Sequence, residues 1–329
     1  MSRQPSAELV QLFQPVEEGL DAMRACLEEQ LVESSHAVAD MTGHVSRFRG
    51  KQLRAALVLL SAKACGTYTA EHPQVAAVVE MIHLATLVHD DILDGAEVRR
   101  RVACVNQRWD NQVAVLLGDF LYARAFALST TLSSRLCSRL LAETTRTLCV
   151  GEIEQSSRRY DFDVERETLE SIAAAKTASL YAAACELGAR YPGGPVELGD
   201  TMAAFGRELG LAFQLVDDCL DLVGDTKVVG KSTGTDVADG KVTLPVWFTY
   251  QASSDEVRAA IRDAYTQPGV EDRAAALKAA VDVGPGVEAA LARAKGLLVD
   301  AQGRLADLPE SPARASLEEI TRFVLRRSF

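Results

Sequence analysis

Residues 83–94 read HLATLVHDDILD and residues 213–221 read FQLVDDCLD, two acidic pentads set in apolar sequence of helical spacing. Side chains at i and i+4 lie one above the other on an α-helix. Asp90 therefore pairs with Asp94, and Asp217 with Asp221, as two-pronged oxygen claws. A lone acidic turn is ordinarily a solvated helix face. The flanks argue against that here: Leu84, Leu87, Val88, Ile92 and Leu93 in the first motif, Phe213, Leu215, Val216, Leu220 and Leu222 in the second. Carboxylates brought into such surroundings need a cation. Mg²⁺ fits, as a hard ion that takes one or two carboxylates and fills its shell with phosphate and water oxygens.

Outward from these motifs, apolar residues recur at helical spacing almost throughout, and no convincing alternating strand appears. The pattern predicts helices over 6–32 (kinked at Pro15), 52–64, 74–93, 111–130, 133–156, 164–190 and 196–223, with shorter ones from 242 to the end. A polar, glycine-rich loop spans 224–240. Abundant Ala, Leu and Glu, with ten prolines near helix ends, make this an all-α chain. No linker divides its 329 residues, so one domain over 1–329 is expected, a large bundle with ligands between facing helices.

The net charge of −11 speaks against nucleic acid as a partner. No apolar run reads as long enough to cross a bilayer, and MSRQPSAELVQLF lacks a signal-peptide core, which implies a soluble, cytoplasmic protein. Seven scattered cysteines without a CxxC pair fit neither a disulfide framework nor a zinc site.

Basic residues gather beside the claws. Lys51 and Arg54 open a helix, where backbone N–H groups favour an anion. Arg99 and Arg100 follow the first motif, and Lys231 and Lys241 punctuate the loop after the second. These supply two anion sites, one metal-bridged and one purely cationic. A di-iron bundle would need two Glu-x-x-His pairs, and only Glu80–His83 qualifies.

The segments GKQLR, HLATLVHDDILD, Arg99–Arg100, LLGDFLYARAF, GEIEQ, AAKTASL, FQLVDDCLD and GKSTGTDVADGKVTLP, in that order, resemble the trans-prenyltransferases, the polyprenyl diphosphate synthases. The match runs from about residue 45 to 250, with an echo in FVLRRSF. The resemblance implies an all-α isoprenoid synthase fold around a deep central cavity, a homodimer, and about three Mg²⁺ ions with substrate bound. An allylic diphosphate would ionise between the claws, isopentenyl diphosphate would attack the cation, and proton loss would leave a chain one C5 unit longer. By resemblance Asp90 and Asp94 hold metal with Asp91 in support, and Asp217 holds the third ion with Asp218 and Asp221 nearby. Arg99, Lys176, Thr177, Gln214, Lys231 and Lys241 would grip the allylic diphosphate. Lys51, Arg54, His83, Arg100 and Arg327 would grip isopentenyl diphosphate. Two positions depart from the family pattern: Ala55 replaces a common proline, and Arg101-Val102-Ala103-Cys104 replaces Gly-x-Pro-Thr.

Val79, Ile82, Ala85 and Thr86 precede the first claw where a growing tail would descend. A helical turn of 5.4 Å is comparable to one isoprene unit. Short-chain members usually carry an aromatic four or five residues before the first aspartate, whereas Ala85 and Thr86 stand here. The expectation is a long tunnel and a product of about C30 to C45. Geranylgeranyl or farnesyl diphosphate synthesis is the nearest alternative, ahead of a non-catalytic partner subunit. The resemblance also leaves room for a peripheral membrane contact at product release.

Overall fold

The computed structural model describes residues 7–33, 35–48, 50–99, 102–224 and 233–326. Its secondary structure is all-α apart from one two-residue ladder. In chain order the helices are α1 (Ala7–Phe13), α2 (Glu17–Leu31), α3 (His36–Val45), α4 (Leu53–Ala64) and α5 (His72–Leu93). The strands β1 (Val98–Arg99) and β2 (Val102–Ala103) pair antiparallel. There follow α6 (Val105–Arg108), α7 (Asn111–Thr131), α8 (Leu136–Ser157), α9 (Arg166–Ala173), a π-helix (Ala174–Ala178), α10 (Ser179–Arg190) and α11 (Val196–Val223). The remainder holds α12 (Thr235–Ala238), α13 (Leu244–Ala252), α14 (Asp255–Thr266), α15 (Arg273–Ala280), α16 (Gly284–Arg304) and α17 (Pro312–Arg326). Pro15 sits in a 3₁₀ turn between α1 and α2, where its fixed φ and missing N–H are tolerated.

The chain forms two compact units. The first comprises 1–145, 180–206 and 302–320, the second 146–179, 207–301 and 321–329. In the first, α5 is the hub and packs against α2, α4 and α7. Its residues from Val75 to Ile82 are buried on every side, as are Ala55–Ala62 of α4. At roughly 1.5–3 kcal/mol for each enclosed aliphatic side chain, this core fixes α5 firmly. The last three turns of α5 change character: Leu84, Ala85, Val88 and Asp91 stay buried, while His83, Thr86, Leu87 and Asp90 are partly exposed. The core thus holds one edge of the helix and leaves the His83–Asp90 edge open to ligand.

The second unit has its own core, in which Cys219 and Leu222 of α11 meet Val237, Val242, Val246, Tyr250 and Tyr265. The Phe162 ring lies 4.9 Å from Tyr250 and 5.0 Å from Tyr265. Packing of Cys219 and Leu222 on one face of α11 sets the rotation of the helix, and with it the directions of Asp217, Asp218 and Asp221.

α7 is long and apolar enough to span a membrane by length and composition, although much of it is exposed. It corrects the sequence reading that no run approaches that length. Its buried face, Ala114, Leu117, Leu121, Ala125 and Leu128, packs against α5, and Asp119 and Arg124 interrupt it. A core helix of a globular unit needs this composition with no bilayer involved.

Candidate active site

Both acidic motifs occupy the C-terminal ends of long helices. Asp90 and Asp91 lie in the last turn of α5 and Asp94 is its C-cap; Asp217, Asp218 and Asp221 lie in the last two turns of α11. The dipole there presents its negative end, so each carboxylate is disfavoured by about 0.3–1 kcal/mol, and no basic residue occupies either last turn.

The three aspartates of each motif do not share one task. Asp91 is buried, and Arg99 of β1 donates to its Oδ1 through both Nε and Nη2 at 2.7 Å. Its main-chain carbonyl accepts from Ala96 N–H at 2.9 Å and from Asn106 Nδ2 at 3.3 Å. Asp91 therefore fastens the β1–β2 hairpin to the end of α5 and aims Arg99. Asp221 is likewise buried: Thr235 Oγ1 donates to its Oδ1 at 2.9 Å and Asp236 N–H to its Oδ2 at 3.1 Å. It caps α12 and ties down the loop that carries Lys241. Asp90, Asp94 and Asp217 are half-buried.

Asp218 stands between these roles. Gln214 Nε2 donates to its Oδ1 at 2.7 Å, and Thr177 Oγ1 donates to Gln214 Oε1 at 2.7 Å. Burial, then Asp236, Asp217 and Asp221, push its carboxyl well above the ordinary range against the pull of Gln214. Lys241, itself buried, sits 3.0 Å from Asp239 and 3.7 Å from Asp236. Five aspartates thus share this corner with one described lysine of the loop, a surplus of negative charge that suits a hard divalent ion. No three metal-ligating side chains converge among the described residues. A cation would therefore complete its shell from substrate and water, the habit of Mg²⁺.

Lys176 is presented by the π-helix, whose wider turn shifts the register of the chain by one residue. The GEIEQ motif holds it: Nζ lies 2.6 Å from Glu152 Oε2 and donates to Gln155 Oε1 at 3.0 Å. Gly151 allows this contact, since a β-carbon there would come within 2.8 Å of Ala175 Cβ and 2.9 Å of Lys176 N.

In the first unit, Arg54 and His83 meet. Arg54 Nη1 donates to His83 Nε2 at 3.0 Å, which leaves the ring proton on Nδ1, and the guanidinium lies 4.6 Å over the Tyr181 ring. Arg54 Nε is buried without a hydrogen-bond partner among the described residues, an unmet donor that an anion would satisfy. Gln52, the N-cap of α4, has φ 51°, a left-handed conformation that costs strain and marks a built loop. Lys51 beside it is exposed. Arg100, Lys231 and Arg327 lie outside the described residues. Sequence reasoning did not find Glu152 and Gln155 as the partners of Lys176, or Thr235 as the partner of Asp221, although GEIEQ and GTDVADGK were already visible as motifs.

The comparisons with known proteins converge on one family. The family model described as Polyprenyl synthetase matches residues 35–282. The chain belongs to the polyprenyl synthetase family. It is 36% identical to a prenyl transferase of Synechocystis, over 96% of this chain and 98% of that one. It is 34% identical to heptaprenyl diphosphate synthase component 2 of Geobacillus stearothermophilus, over 93% and 96%. A crystal structure of a polyprenyl synthase from Caulobacter crescentus, complexed with calcium and isoprenyl diphosphate, superposes with TM-score 0.91 at 31% identity, over 98% of both chains. The fold is the isoprenoid synthase fold, and the chain is a prenyltransferase with the chemistry of the trans-polyprenyl diphosphate synthases. Bacterial long-chain synthases stand among its relatives, and geranylgeranyl synthases share its fold.

Proposed function

We propose that this prenyltransferase is an all-trans polyprenyl diphosphate synthase working as one functional domain over residues 1–329, with a product of about C30 to C45. The observation that carries the reading is the pair of carboxylate clusters at the ends of α5 and α11, neither of which has a basic residue in its last helical turn. Asp90, Asp94 and Asp217 would hold Mg²⁺, about three ions per site with substrate bound. The chemistry magnesium supplies when bound is neutralisation of charge on the departing pyrophosphate. Lys176, Lys231, Lys241, Thr177, Gln214 and Arg99 bind and orient the allylic diphosphate, with Asp91 and Asp221 positioning Arg99 and the Lys241 loop. Lys51, Arg54, His83, Arg100 and Arg327 bind isopentenyl diphosphate. Apolar walls shield the allylic cation from water until the double bond attacks it.

Thr86 is the one chain-length candidate with exposed surface; Val79, Ile82 and Ala85 are fully enclosed. Absence of an aromatic at 85 and 86 supports the long product, and enclosure of Ala85 makes Thr86 the residue to test. A homodimer is supported by Val115 and Leu116, exposed apolar residues of α7. The cytoplasm, with a peripheral membrane contact for releasing an apolar product, is the proposed setting. The test is turnover of labelled isopentenyl diphosphate with C10, C15 and C20 primers and Mg²⁺, with products sized after dephosphorylation. Products beyond C30 support the reading. A C20 end point selects the short-chain alternative, and absence of any condensation removes the proposal.

A further inference from the structure

Three arginines line a cleft of about 540 Å³ in the first unit, in a chain whose net charge is −11. Ser134, Arg135 and Arg139 come from the start of α8, and Arg190, Pro192 and Gly193 from the end of α10. The cleft belongs to the opposite end of α5 from the DDILD claw. Glu71, the N-cap of α5, accepts from Ser133 Oγ at 2.5 Å and from the Tyr191 hydroxyl, and so ties both walls to that end. The 19 residues from Glu71 to Asp90 span roughly 28 Å of helix.

The placement of two of these charges, Arg135 and Arg139, works against stability. Arg135 and Arg139 are like charges at i and i+4, and they stand where the dipole of α8, Leu136–Ser157, presents its positive end. Arg190 is fixed close by. Its stem crosses Gly199, where a β-carbon would lie 2.3 Å from Arg190 Cδ. Its Nη1 donates to Glu186 at 3.2 Å, and its Nε is buried without a partner among the described residues. Arg139 also acts on Glu186, and Asp200 opposes it there, while no carboxylate among the described residues pairs with Arg135. Ser134 Oγ accepts from Leu136 N–H at 3.2 Å, which leaves its hydroxyl proton to donate. An anion in the cleft would turn each of these costs into a gain. Planar guanidinium forks and a hydroxyl match the oxygens of a phosphate group.

The geometry points to this cleft as a second anion-binding site, for a small phosphate-bearing ligand. It uses none of the residues proposed for catalysis and stands independently of that reading. Two sources share the chemistry: free phosphate or pyrophosphate, and the headgroup of a prenyl diphosphate.

Calorimetric titration of the full chain with inorganic pyrophosphate, without magnesium and at fixed ionic strength, tests it. Wild type should show two classes of site. Arg135→Gln/Arg139→Gln should lose one class, weakened at least about 10-fold, while Lys51→Gln/Arg54→Gln retains it. Arg139→Lys, which keeps the charge and loses the fork, should fall between. In thermal melts the double variant should be more stable than wild type without phosphate and should gain less on its addition. Titration with farnesyl diphosphate then separates the sources: affinity well above that for pyrophosphate selects the prenyl ligand, and equal affinity selects the free anion. An Arg135→Gln/Arg139→Gln protein that titrates and melts like wild type overturns the proposal, as does loss of every site in Lys51→Gln/Arg54→Gln.

Discussion

Burial and three neighbouring carboxylates hold the Asp218 carboxyl well above its ordinary range, and this has a direct consequence for stability. A carboxyl whose folded pKa is raised favours the unfolded chain once it must ionise. The penalty begins as pH rises past about 4, the value for an unfolded aspartate, and grows until the folded group has ionised. Metal-free protein should therefore lose stability with rising pH over that window, and Mg²⁺ should restore it. Asp218→Asn should melt higher than wild type in EDTA at neutral pH and gain less from Mg²⁺, because the uncompensated charge is gone while Gln214 keeps its acceptor. A lower metal-free melting temperature with an undiminished magnesium gain would refute this account. Asp90→Ala should reduce condensation by several orders of magnitude, about what loss of a transition-state metal ligand implies, whereas Asp91→Asn should act mainly through Arg99. Near-normal turnover of Asp90→Ala would sink the metal assignment. The acidic spacing was legible in the sequence because i and i+4 geometry is local. The partners of Asp91 and Asp221 were not, because Arg99 and Thr235 reach them through a hairpin and a loop that periodicity does not describe.

At the level of elements, the helix over 196–223 matches its sequence reading to the residue, since Pro195 and Gly224 punctuate both ends. The segment 164–190 reads as one helix but contains the π-helix at Ala174–Ala178, and a single extra residue in a turn leaves almost no trace in apolar periodicity. That insertion sets Lys176 against Glu152 and Gln155. Gly151→Ala should press on the Lys176 backbone and move its ammonium, lowering kcat by about 10²-fold if the displacement reaches 1 Å, with an unchanged circular dichroism spectrum. Retention of full kcat in a folded Gly151→Ala enzyme would show that the close contact does not position Lys176. The β1–β2 hairpin, two residues per strand, was too short to read, yet it accommodates Val102-Ala103-Cys104 where the family pattern differs. His44 Nε2 donates to Ala103 O at 2.8 Å and Cys104 N–H to Glu97 O at 2.9 Å, so the departure is absorbed locally. On α5, Ala85 and Thr86 should part company. Ala85→Phe must overpack an enclosed site at roughly 1–3 kcal/mol, while Thr86 is only half-buried, so Thr86→Phe should be tolerated and shorten the product. Measuring melting temperature and product length on both variants checks this; a stable, shortened Ala85→Phe would reverse the assignment.

For the whole molecule, the basic residues assigned to the two proposed anion sites have different surroundings. Arg54 leans on His83 and the Tyr181 ring, whereas Lys241 is buried among aspartates behind Asp221. Lys51→Ala and Arg54→Ala should chiefly raise KM for isopentenyl diphosphate, the mark of lost ground-state binding, and Lys241→Ala should chiefly lower kcat with the allylic partner. Unchanged isopentenyl diphosphate saturation in Arg54→Ala would dissolve the distinction. Assembly is the remaining question at this scale, and α7 frames it. The helix buries one face on α5 and turns Val115 and Leu116 outward, 44% and 60% exposed, beside the solvent-facing Asp119. Side-chain exposure of this kind is ordinary when scattered and informative when adjacent residues share it on a helix that is apolar enough to span a bilayer. If a second copy covers this face, Leu116→Glu would bury an unpaired charge against its own symmetry mate, since a two-fold contact brings the same patch together twice. Sedimentation should then show a monomer, with the helical fold retained. A Leu116→Glu protein that sediments like wild type would mean that α7 faces solvent and that any dimer is built elsewhere.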